Sequence, residues 1–168
     1  MQRKNNGKKT ILPDGSRLRI GIVVSKYHED ITGNLLDGAL ETLYLCGVKK
    51  NNIYVLPVPG SFEIPFGCLS LLNPDARRAG SGPRSKHRGK CDALVTLGCI
   101  IKGQTDHNRH IASAVFSAIT NLSLNYNVPI SLGVVTANNL AQAKARSTGK
   151  GNKGKDAALA AVSIALVG

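Results

Sequence analysis

Leu18-Arg19-Ile20-Gly21-Ile22-Val23-Val24-Ser25 is a β-branched run of strand length that ends in a small polar residue. Working outward, the segment from about His28 to Cys46 sets Ile31, Leu35, Leu36, Ala39, Leu40, Leu43 and Leu45 at helical spacing, with Gly47 as its stop. Ile53-Tyr54-Val55-Leu56-Pro57-Val58 gives a second strand, followed by a helix through about Ser61 to Leu72. Ala93-Leu94-Val95-Thr96-Leu97-Gly98 gives a third strand. A long helix from about Thr105 to Tyr126 then carries Ile111, Val115, Ala118, Ile119, Leu122 and Leu124 on its apolar side. Ile130-Ser131-Leu132-Gly133-Val134-Val135-Thr136 is the fourth strand; a short helix from Asn139 to about Arg146 and an Ala-rich helix from about Lys155 to Leu166 follow.

Strands that are nearly continuous apolar runs, each separated from the next by a helix, signal a parallel sheet buried on both faces. The expected fold is therefore α/β: a three-layer sandwich whose four-stranded parallel sheet is flanked by helices on both faces. In such sheets ligands bind beyond the carboxyl ends of the strands. Here the loops that converge there are Ser25-Lys26-Tyr27-His28, Val58-Pro59-Gly60-Ser61-Phe62-Glu63, Gly98-Cys99-Ile100-Ile101-Lys102-Gly103-Gln104-Thr105 and Val135-Thr136-Ala137-Asn138.

A chain of 168 residues has room for one domain with a substantial core, and no apolar run approaches the roughly 20 residues that span a bilayer. Residues 1–16 read as a basic tail, and 17–168 as a single domain with a basic loop insertion at 73–91. The amino terminus lacks the apolar stretch of a secretory signal, so a cytoplasmic protein without membrane attachment is expected. Cys46, Cys68, Cys91 and Cys99 form no Cys-x-x-Cys pair and read as reduced packing residues.

The net charge of +12 raises the question of a nucleic-acid partner. Its distribution answers it. Residues 1–20 and 74–90 each hold six Lys or Arg against one Asp, +5 apiece, so two segments supply +10 of the +12 and the body is nearly neutral. No aromatic residues interleave with those charges to stack on bases, and no nucleic-acid partner is expected.

Gly103, Gln104 and Thr105 immediately precede a helix whose first turn contains His107. A helix start offers unpaired N–H groups and a partial positive charge, enough to hold a phosphate, and His107 stands beside it as the residue type most used to move protons. The bland reading, in which Thr105 caps the helix and His107 is solvated, stands beside this one. His107 and His110 could share a helix face, but no third ligand offers itself, so no metal is expected. Gly149-Lys150-Gly151-Asn152-Lys153-Gly154 lacks a preceding strand and the Lys-Ser/Thr ending of a phosphate loop; it reads as a glycine-rich connection with Lys153 available to an anion.

Taken in order, Val58-Pro59-Gly60-Ser61-Phe62-Glu63-Ile64-Pro65, Ile101-Lys102-Gly103-Gln104-Thr105-Asp106-His107, Val128-Pro129-Ile130 with Gly133-Val134-Val135-Thr136, Gln142-Ala143 with Arg146, and Gly151-Asn152-Lys153-Gly154 resemble the lumazine synthase family across nearly the whole chain from Leu18 onward. The resemblance implies the family's flavodoxin-like fold. It also implies a condensation of 5-amino-6-(D-ribitylamino)uracil with 3,4-dihydroxy-2-butanone 4-phosphate, giving the lumazine, phosphate and water without a cofactor or metal. Residue by residue, it implies that Tyr27 stacks on the pyrimidine and that Ser61, Phe62 and Glu63 hold the ring edge and ribityl chain, with His28, Cys99, Ile100, Ile101, Leu132 and Lys153 also at the substrates. Gly103, Gln104, Thr105 and Arg146 would form the phosphate pocket, and His107 the acid/base relay.

The same resemblance implies a homo-oligomer. Active sites would lie between subunits of a pentamer, Leu132 completing the pocket of a neighbour. The compact Arg146–Gly154 connection favours a sixty-subunit icosahedral shell, and association with riboflavin synthase is a further possibility. Four residues depart from the family pattern: His28 for Asn, Asn108 for an aromatic, and Ser147-Thr148 for Ala-Gly. They motivate the alternative of a catalytically impaired, shell-forming scaffold of the same fold.

Overall fold

A computed structural model describes residues 11–73 and 90–167. The strands are β1 (Ile20–Ser25), β2 (Ile53–Val58), β3 (Ala93–Ile101) and β4 (Ile130–Ala137). The helices are α1 (Glu29–Leu45), α2 (Ile64–Leu72), α3 (His107–Tyr126), α4 (Leu140–Ala145) and α5 (Lys153–Ala165), with a 3-10 turn at Ser61–Glu63 leading into α2. The strands form one parallel sheet in the order β2-β1-β3-β4.

Alternation along β1 shows how the sheet makes three layers. Ile20, Ile22 and Val24 point to one face, where Ile31, Leu35, Ala39 and Leu43 of α1 and Ala157, Ala158, Ala161 and Val162 of α5 close over them. Val23 points the other way, into a second cluster with Ile64, Cys68 and Leu71 of α2 and Val115 and Ile119 of α3. Burial of these two apolar sets supplies the main stabilisation, and the α/β sandwich read from the sequence is the fold observed.

Several boundaries move. β3 does not stop at Gly98 but runs to Ile101, because β4 pairs alongside it as far as Ile101↔Ala137. Gly98 is a packing glycine inside the strand: a methyl group there would lie 2.7 Å from Ser61 Oγ and 2.8 Å from Ile64 Cδ1. α3 starts at His107, two residues later than expected, and α5 at Lys153, two residues earlier, because the Asn152 side chain caps it through Gly154 N and Lys155 N. Leu45 and Leu124, expected on apolar faces, are 65% and 74% exposed. Each lies well around its helix from the buried set, Leu45 two residues past Leu43 and Leu124 five past Ile119.

Gly47 ends α1 at φ +81, the left-handed conformation that favours glycine, and Gly15 N–H donates to Cys46 O at 2.7 Å, so the chain is fixed to the body from Gly15. Most of the expected basic tail and insertion, residues 1–10 and 74–89, lies outside the described residues. Among the described residues, no helix is long and apolar enough to cross a membrane.

Candidate active site

The carboxyl ends of the four strands open on one side of the sheet, and backbone bonds lace their loops together. After β1, Lys26 N–H donates to Val58 O at 2.8 Å and Tyr27 N–H to Pro59 O at 3.1 Å, which ties the first loop to the second. His28 then turns left-handed, φ 59, and its carbonyl accepts the N–H groups of Ile31 and Thr32, both at 2.9 Å, to start α1. The Tyr27 ring is 67% exposed and meets the His28 ring edge-on, centroids 4.6 Å apart. It is a fixed aromatic surface at the rim of the sheet, able to carry a planar ring.

After β2, Ser61 is buried and its hydroxyl donates to Cys99 O at 3.3 Å, joining the second loop to β3. That bond leaves Phe62 and Glu63 facing outward, both exposed, beside the first loop. Cys99 and Ile100 lie within β3 with their side chains in the two core clusters, and Ile101 is half-buried. What Cys99 and Ile100 can offer a ligand is backbone. Burial pushes the Cys99 thiol up to about 11, with Asp30 adding to the shift, so it holds a proton at neutral pH and is no nucleophile.

Lys102 N–H donates to Ala137 O at 2.9 Å and closes the β3–β4 ladder; Gly103, Gln104, Thr105 and Asp106 then run exposed into α3. Asp106 occupies the capping position and makes no side-chain cap bond. The reading in which Thr105 caps the helix does not hold. The start of α3 keeps backbone donors and the positive end of the helix dipole turned outward, with His107, exposed, as its first residue.

Facing the first turns of α3 is α4. Asn139 caps it, accepting Gln142 N–H at 2.9 Å, while Gln142 Oε1 reaches back one residue past the cap to accept Asn138 N–H at 2.9 Å. Arg146 ends the helix. A cleft of about 450 Å³ separates the two elements, bounded on the α3 side by Asn108, Arg109 and Phe116 and on the other by Asn138, Gln142 and Arg146. Asn108 Oδ1 is buried there without a hydrogen-bond partner. Two guanidinium groups beside an open helix start make this end of the sheet suited to an anion. Arg109, Asn138 and Gln142 carry no predicted role; of the three, only Gln142 had a local signal, the Asn-x-x-Gln spacing at 139–142 that marks a helix start.

One expected residue, Leu132, stands apart within one chain, while Lys153 lies beside Arg146, its N–H donating to Arg146 O at 2.8 Å. Leu132 lies in the middle of the outer strand β4, paired with Thr96, half-exposed and about 16 Å of strand away from Ala137. Lys153 is the first residue of α5, and its ammonium pairs with Asp156 Oδ2 at 2.8 Å. Tyr27 and Ser61 gather at β1 and β2, while Arg146 follows β4, two strand spacings or about 10 Å from β1. Among the described residues no three His, Cys, Asp or Glu side chains cluster as a metal site would require.

A family profile described as 6,7-dimethyl-8-ribityllumazine synthase matches residues 17–167. Curated relatives carrying that same name include one from Parabacteroides distasonis, 38% identical over 91% of this chain and 88% of its own length. Another, from Phocaeicola vulgatus, is 35% identical over 91% of this chain and 83% of its own. A third, from Buchnera aphidicola subsp. Baizongia pistaciae, is 42% identical over 89% and 86% respectively.

Proposed function

The chain belongs to the 6,7-dimethyl-8-ribityllumazine synthase family, and from that premise we propose how its residues divide the work of the family's reaction. That reaction is a transferase step, the penultimate one of riboflavin biosynthesis. It joins 5-amino-6-(D-ribitylamino)uracil to 3,4-dihydroxy-2-butanone 4-phosphate and releases 6,7-dimethyl-8-ribityllumazine.

The 5-amino group attacks the ketone carbonyl and loses one water as the imine forms. Proton loss from the adjacent carbon then expels phosphate, and the ribityl-bearing nitrogen closes the second ring with loss of a second water. Almost every step moves a proton. His107, at the start of α3 beside the phosphate, is the acid/base relay, a role typically worth 10²–10⁴ in rate. Tyr27 carries the pyrimidine face, with His28 setting its edge. Ser61, Phe62 and Glu63 hold the ring edge and the ribityl hydroxyls, and the backbone at Cys99, Ile100 and Ile101 lines the floor between them. Gly103, Gln104 and Thr105 present the phosphate to the open N–H groups of α3, Arg146 supplies a paired-donor guanidinium, and Lys153 braces the leaving group.

The observation that carries this reading is the uncapped start of α3, with His107 as its first residue and Arg146 across the adjoining cleft. Steady-state formation of the fluorescent lumazine tests it. His107→Ala lowers kcat by about 10²-fold or more, and Arg146→Ala acts mainly on KM for the phosphate-bearing substrate. A rate unchanged by either substitution contradicts the assignment.

The protein assembles as a homo-oligomer, a pentamer or a sixty-subunit icosahedral shell, with Leu132 reaching the site of a neighbouring copy. Half-exposed Leu132 on an outer strand, and Phe62 and Phe66 at 62% exposure, support surfaces that copies of the chain cover. Light scattering decides between the two sizes: particles of pentamer mass alone reject the shell. A cytoplasmic location and association with riboflavin synthase belong to the same reading. The alternative, an inactive shell, is disfavoured by relatives named as synthases along most of the chain.

A further inference from the structure

Asn152 is 4% exposed and its amide makes four hydrogen bonds. Nδ2 donates to Asn34 O of α1 at 2.8 Å and to Ser147 O at 2.7 Å, while Oδ1 accepts Gly154 N–H at 2.8 Å and Lys155 N–H at 3.3 Å. Both donors and the acceptor are thus in use. The pocket around the amide is tight: a methyl group at Gly38 would lie 2.5 Å from Nδ2, and one at Gly154 would overlap Leu35 O.

Capping α5 needs only Oδ1. A serine would do it equally well. The two Nδ2 bonds do something else: they clamp the residue after Arg146 to α1, while Lys153 N–H, next to Asn152, donates to Arg146 O at 2.8 Å. The consecutive carbonyls of Arg146 and Ser147 are therefore held from the start of α5, across a 3-10 turn at Gly149–Gly151 that contains a left-handed Gly149. The other bonds at this point are local or end-on: Arg146 N–H to Gln142 O and Ala143 O and Ser147 N–H to Lys144 O within a six-residue helix, and Lys153 N–H to Arg146 O, so the Asn152 side chain is what ties this turn to α1.

We propose that Asn152 is a positioning residue: through the Ser147 and Asn34 carbonyls it fixes the backbone of Arg146 so that the guanidinium meets the substrate phosphate. The proposal rests on the assignment of Arg146 to the phosphate. Asn152 touches no substrate; it removes conformational freedom that phosphate binding would otherwise have to quench.

Asn152→Asp tests this in the full-length oligomer, since it keeps the shape and the cap, carries a charge favourable at a helix start, and replaces the two donors with an acceptor. Should the buried carboxylate prevent folding, Asn152→Ser carries the same test. KM for 3,4-dihydroxy-2-butanone 4-phosphate rises about tenfold, the effect of misdirecting one charge-assisted contact, while KM for the pyrimidine stays within about twofold. Combined with Arg146→Ala, either substitution adds nothing further to that KM. An equal rise for both substrates, or full additivity with Arg146→Ala, assigns Asn152 to stability alone and overturns the proposal. If Arg146→Ala by itself leaves that KM unchanged, the phosphate assignment fails and the proposal falls with it.

Discussion

The hydroxyl of Ser61 donates to the carbonyl of Cys99 across 3.3 Å, directly over a glycine: a methyl group added at Gly98 would stand 2.7 Å from Ser61 Oγ. The loop that presents Phe62 and Glu63 is thus seated on β3 with no spare room. Its position depends on residue 98 having no side chain.

Gly98→Ala is therefore expected to cost about 1–3 kcal/mol in denaturant unfolding, the range for overpacking a filled interior. Adding Ser61→Ala removes the nearest obstruction, although Ile64 Cδ1 at 2.8 Å remains, so part of the loss returns. A double-mutant cycle reads this coupling. Equal cost with and without the Ser61 hydroxyl contradicts it.

A second prediction concerns the amino end of the sheet, where Arg19 meets Asp92 through its backbone N–H at 2.7 Å and its guanidinium at 2.9 Å. Partial burial would raise the Asp92 pKa, but the hydrogen bonds and charge of Arg19 outweigh it and hold the carboxyl below its ordinary 3.8. A depressed folded-state pKa gives stability that is present above 3.8 and lost as pH falls through the lower folded value. Asp92→Asn should cost about 1 kcal/mol at pH 7, modest because the pair is partly exposed. The difference should shrink on acidification below that range. Urea unfolding from pH 7 to pH 2.5 measures it, and a cost that does not diminish in acid excludes the ion pair as its source.

Thiol chemistry supplies a third. Burial pushes the Cys68 thiol up to about 12 and the Cys99 thiol up to about 11. Native protein at pH 8 should leave both unlabelled by iodoacetamide over hours, and denatured protein should label at once. Mass spectrometry of the peptides reads the result; rapid native labelling of Cys99 would mean that β3 opens at its carboxyl end.

How much of this was legible beforehand differs element by element. β2 matched at both ends, Ile53 and Val58, because Asn51-Asn52 and Pro59-Gly60 bracket an unbroken apolar run. Gly98 misled: a glycine read as punctuation serves to let Ser61 approach, and only the neighbouring strand tells the two apart. Leu45 and Leu124 were counted with the core because they are leucines near a periodic set, yet helical phase turns them outward. At the candidate site, the order of motifs indicated Tyr27, Ser61, Phe62 and Glu63 at the strand ends, where the structure has them. The clamp at Asn152 was not legible, since both partners are backbone carbonyls, whose side-chain identity carries no signal, and one of them, Asn34 O, lies 118 residues away.

The most direct test of the account is the position of inorganic phosphate in a crystal of the assembled protein soaked with a pyrimidine substrate analogue. Phosphate seated on the N–H groups at the start of α3, within hydrogen-bond reach of an Arg146 guanidinium and next to His107, is the expected result, with the analogue stacked on Tyr27. Phosphate bound elsewhere, with every Arg146 side chain of the assembly turned away from the start of α3, would contradict it.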